Sequence, residues 1–221
     1  NYIMPVWPTD GGADGLTVSE IRQKCSNINI GAYMFIGDIN GNGGDSYVIG
    51  GIANDNSFTN DGDGEWDANL EEIFHTVTWG WHRAYPEYFG NGDWWPWRGL
   101  SNIDLITVKG ELSSKLTTAV DAARGGWFED TPDQYPDNAW YTYDDKSCGY
   151  GCQSMEYLYH LLMANIGAYD PIHTPHCEDL KREWRGGCTK EELEQKDVLG
   201  FELMNNYGFN LPTNIPDGNY K

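Results

Sequence analysis

The sequence predicts an α+β domain: a small antiparallel or mixed sheet, a motif helix, several further helices, and long aromatic loops between them. Three observations carry this expectation. Two early segments, Ile28-Asn-Ile-Gly-Ala-Tyr-Met-Phe-Ile36 and Ser46-Tyr-Val-Ile-Gly-Gly-Ile52, have strand composition. The Gly37-Asp-Ile-Asn-Gly-Asn-Gly-Gly-Asp45 segment between them supplies the Gly and Asn that accept positive φ, so an antiparallel pair follows. Later in the chain, apolar residues recur at three-to-four spacing, and Pro- and Gly-bearing stretches rich in Trp and Tyr separate the helical segments.

Residues 1 to 15 hold Pro5, Pro8, Gly11, Gly12 and Gly15 and read as an irregular arm, followed by a short helix capped by Thr17 or Ser19. After the strand pair, residues 54 to 67 are polar and acidic, and Asp67 caps a helix from Leu70 to Trp79. Residues 80 to 110, with Gly80, Pro86, Gly90, Pro96 and Gly99, read as a long loop. A helix from Ser113 to Arg124 stops at Gly125-Gly126, and residues 132 to 145 form an aromatic loop. The clearest helix runs from Cys152 to Ile166, with Met155, Leu158, Leu162 and Ile166 on one stripe and Gly167 at its end. A last helix spans residues 189 to 205, and residues 211 to 221 form an extended tail, so that 1 to 221 make one globular domain.

Fourteen Lys and Arg against 34 Asp and Glu leave a net charge of −20. Such a surface repels phosphate backbones and anionic lipid, which removes nucleic acid and membrane surfaces as partners. No stretch approaches the roughly 18 apolar residues of a membrane-spanning helix. Asn1 in place of Met suits a chain from which a leader has been removed, and the five cysteines, without paired zinc knuckles, suit disulfides. Secretion is therefore expected. Cys177 with Cys188 and Cys148 with Cys152 close the shortest loops, and the odd count leaves one thiol over.

The segment richest in chemistry is Glu71-Glu72-Ile-Phe-His75, because residues i and i+4 share one face of a helix and can grip one ion. On helix grounds alone, Glu71 and Glu72 also suit a first turn, where negative charge complements the macrodipole. The segment resembles the HExxH helix of zincin metallopeptidases, with Glu71 in place of the first His. That resemblance implies a zinc site with Glu71 and His75 as ligands, Glu72 as the base that activates water, and a third ligand on a later helix. Glu156, beside the apolar stripe of the Cys152 to Ile166 helix, matches this third position. It further implies attack of activated water on a peptide bond, with Tyr143, Tyr157 or Tyr159 as an oxyanion donor. Two carboxylates and one imidazole leave the ion less positive than two imidazoles and one carboxylate, so slow turnover is expected.

Asp61-Gly-Asp-Gly-Glu-Trp-Asp67 places Asp61, Asp63, Glu65 and Asp67 at alternate positions, as calcium loops do, although Trp66 stands where an EF-hand requires Gly. Trp94-Trp-Pro-Trp97 offers rings for a small ligand. A calcium-dependent, non-catalytic binding or structural protein using its aromatic loops is thus the second reading. His160, four positions after Glu156, could add a ligand, but a lone His on an aromatic helix more commonly fills a packed, hydrogen-bonded interface position.

Overall fold

The computed structural model describes Val6–Trp7, Met34–Phe35 and residues 68 to 90, 114 to 172 and 175 to 214. These fall into two compact units, Asn1–Gly80 with Pro216–Lys221, and Trp81–Ile215.

In the first unit, β1 (Val6–Trp7) pairs in parallel with β2 (Met34–Phe35), Val6 opposite Met34 and Trp7 opposite Phe35. This corrects the α+β expectation. Among the described residues, this two-residue pair and one isolated bridge, Tyr141 with Trp184, are all the β-structure, too little for a sheet layer, and the described chain is helical. A short apolar run such as residues 28 to 36 carries no period that separates a strand from another buried segment, and its partner cannot be read locally. The hairpin turn and the second strand, residues 37 to 52, lie outside the described residues.

Helix α1 (Ala68–Ala84) contains the motif and extends past Gly80, where the sequence predicts a loop; the unit boundary falls inside it. Phe74 and Thr78 are buried, and the Thr78 hydroxyl donates to the Phe74 carbonyl one turn back (2.8 Å).

The second unit is built around α4 (Tyr150–Asn165), in which every residue but Glu156 is buried. The stripe expected from the sequence is therefore part of a helix covered on nearly all sides. It packs against α3 (Lys115–Arg124), α5 (Lys190–Lys196) and α6 (Val198–Asn205), while α3 also meets α2 (Pro86–Phe89) and α6. Ser114 caps α3 by accepting from the Thr117 amide (3.0 Å), and its hydroxyl donates to the Gly90 carbonyl, tying the helix start to the end of α2. Gly125 closes α3 with φ 75°, and a Cβ there would stand 3.0 Å from the Pro136 ring. Thr189 and Glu192 form a capping box at the start of α5. Tyr85, Tyr88 and Phe89 surround Phe209 with centroids 5.0 to 5.1 Å away.

Residues 189 to 205 are two helices instead of one. The break is at Asp197, whose carboxylate caps α6 through the Gly200 amide (2.9 Å) and also accepts from Trp140 Nε1 (2.9 Å) and the Tyr157 hydroxyl (2.7 Å). Both local disulfides expected from the sequence are present: Cys148–Cys152 at the start of α4, and Cys177–Cys188, which joins the 3-10 helix Pro175–Arg182 to the turn before α5. Cys25 lies outside the described residues.

Candidate metal centre

Helix α1 brings Glu71 and His75 together. One turn apart, their side chains are only 13% and 15% exposed, with His75 Nε2 standing 3.5 Å from Glu71 Oε1. That separation is longer than a good N–H···O hydrogen bond. It does suit two ligands of one tetrahedral ion, since bonds of about 2.0 to 2.2 Å place neighbouring ligand atoms about 3.3 to 3.6 Å apart. Glu72 is on the same helix, but its side chain lies outside the described part.

Glu156 belongs to the second unit and is the one partly exposed residue of α4. Its carboxylate lies within 4.8 Å of both Cys148 Sγ and Cys152 Sγ. Glu156 also helps to hold the Tyr141 phenol well above its ordinary range, after burial as the main cause and together with Tyr143 and Glu183. Of the three oxyanion donors offered by the sequence, Tyr157 is fully buried with its hydroxyl given to Asp197, Tyr159 is buried, and Tyr143 alone keeps partial exposure.

No family model, curated protein or solved structure matches the chain.

Asp61, Asp63, Glu65 and Asp67, the calcium candidates, lie outside the described residues, as do Trp94 to Trp97. His82 Nδ1 is 3.3 Å from the Phe89 carbonyl, which ties α1 to α2.

Three buried polar clusters each contain a charged residue that was not singled out from the sequence: Glu183, Asp197 and Arg124. His160 Nδ1 meets the Tyr169 hydroxyl (2.8 Å), its Nε2 faces Glu183 (3.8 Å), and its ring stacks on Trp184 at 5.5 Å, as befits the packed histidine expected there. Glu183 is the unforeseen member, a nearly buried carboxylate also approached by Arg182 (3.6 Å). Asp197 is the second cluster; burial lifts its carboxyl above the ordinary 3.8, while Trp140, Tyr157 and the Gly200 amide pull it down. The third is Arg124, fully buried at the end of α3. Its guanidinium donates to the Phe128 and Asp130 carbonyls and faces the rings of Phe128, Tyr150 and Tyr135 at 5.2, 5.5 and 5.8 Å. A basic residue three positions before an aromatic, at a helix end marked by Gly-Gly, is the only local signal for it.

Proposed function

We propose that the chain is a secreted, metal-dependent hydrolase of peptide bonds in which Glu71 and His75 are ligands of one divalent ion, zinc being the expected metal. The observation that carries this reading is the 3.5 Å approach of an imidazole nitrogen and a carboxylate oxygen, both largely dried, on one helical face. Nitrogen and oxygen donors of this kind are those zinc accepts, and a carboxylate removed from water gains most from a cation. Zinc, when bound, supplies Lewis-acid polarisation. The chain's own residues do the rest: Glu71 and His75 fix the ion to the helix, and Glu72 takes the proton from the attacking water, the role the motif assigns it. Glu156, which the motif resemblance offers as the third ligand, is tested by titrating zinc into oxidised Glu156→Gln, where a fall in affinity would assign it to this ion. The two disulfides support an oxidising, extracellular setting, and among the described residues no helix is long and apolar enough to cross a membrane.

The test compares wild type with Glu72→Gln on a mixed-sequence fluorogenic peptide library, with bound zinc measured on the same samples. The expected result is retained zinc and a loss of turnover of about 10²- to 10⁴-fold in the variant. Equal turnover in the two proteins would contradict the role of Glu72, and absence of hydrolysis by zinc-loaded wild type would contradict the hydrolase reading.

A further inference from the structure

We propose that reduction of the Cys148–Cys152 disulfide turns the start of α4 into a second metal site, in which the two cysteine sulfurs and the Glu156 carboxylate bind a soft or borderline divalent cation such as zinc. Ligand atoms of the three residues already lie within 4.8 Å of one another, and all three belong to the unit Trp81–Ile215. Their spacing explains this. Cys152 and Glu156 are one helical turn apart on one face of α4, and Cys148 precedes the Gly149 cap with its Cα 5.3 Å from that of Cys152. Modest side-chain rotation then brings two sulfurs to about 2.3 Å and one oxygen to about 2.0 to 2.2 Å from a common centre.

Burial decides what the reduced pair does. Cys148 and Cys152 are 2% and 7% exposed, whereas Glu156 is partly open and provides the side from which a cation enters. Two thiolates beside a carboxylate concentrate three negative charges where water is scarce, an arrangement that is costly alone and that a divalent cation offsets. Thiolates also select soft cations over calcium or magnesium.

The electron balance is that of thiol–disulfide exchange. A dithiol reductant gives two electrons to the Sγ–Sγ bond, which breaks; the reductant leaves as its own disulfide, and Cys148 and Cys152 become thiols. Cation binding then displaces the two thiol protons to solvent. Re-oxidation by a disulfide reverses the exchange and expels the ion.

The experiment reduces the full chain with a dithiol, removes the reductant under argon, and titrates cobalt(II) while recording thiolate-to-cobalt charge-transfer absorption. We expect this band in the reduced protein, none in the oxidised protein, loss of the band in Cys148→Ser/Cys152→Ser, and at least about tenfold weaker binding in Glu156→Gln. A site built from Glu71 and His75 contains no sulfur and gives no such band, so the two metal sites are read separately. Alkylation of reduced wild type, followed by peptide mass spectrometry, needs no cysteine variant to fold: zinc should shield Cys148 and Cys152 but leave the partly exposed Cys188 reactive. Absence of the band after reduction, a band that survives the double serine substitution, unchanged affinity in Glu156→Gln, or alkylation of Cys148 and Cys152 that zinc does not slow would each overturn the proposal.

Discussion

Asp197 accepts hydrogen bonds from Trp140, Tyr157 and Gly200 while fully buried, so three donors depend on one carboxyl group. Asp197→Ala would leave all three without their acceptor, and a loss on the order of 3 kcal/mol in urea unfolding is expected. The pH dependence has a definite sign. Because burial raises its folded value above 3.8, the fold favours the neutral form; the stability this group contributes is complete below about 3.8 and declines as pH rises through the folded value. Asp197→Asn does not ionise, so its melting temperature should gain on that of wild type between about pH 3 and about pH 7, and a gap independent of pH would contradict this account. None of it was legible in the sequence, since Trp140 and Tyr157 lie 57 and 40 positions away. Glu71 and His75 were legible because their proximity requires only a helix. The same holds for Cys148 with Cys152, where four residues leave the chain few other ways to close a loop.

At the scale of elements, helices with their own punctuation were readable and those that depend on distant partners were not. Ser114 and Gly125 mark the ends of α3, and Gly167, with φ 78°, follows the end of α4. The break between α5 and α6 rests on the Asp197 cluster, and at Gly200 a Cβ would come within 2.6 Å of both Leu161 and the Tyr157 hydroxyl, so only glycine permits that approach. The sheet was misread because residues 28 to 36 have strand composition without a local pairing signal, whereas the observed partner of Met34–Phe35 is Val6–Trp7. Gly125→Ala tests the punctuation argument. Its left-handed φ and its contact with Pro136 predict a loss of about 1 to 2 kcal/mol in chemical unfolding. A loss below a few tenths would show that this helix end relaxes freely.

For the whole molecule, a net charge of −20 attracts divalent cations without any specific site, so metal binding has meaning only under screening salt and as a stoichiometry. The proposed function requires that Glu71 and His75 hold one ion. The deciding measurement is zinc content and affinity of the oxidised protein after dialysis in about 0.15 M salt, with wild type compared against Glu71→Gln and His75→Ala. Loss of an outer partner of a metal ligand costs about 10- to 100-fold in affinity, so loss of a ligand should cost more than about 100-fold. One zinc per wild-type chain and a drop of that size in each variant are expected. Equal zinc content and affinity in wild type and both variants, or no zinc retained by wild type, would contradict the proposed function.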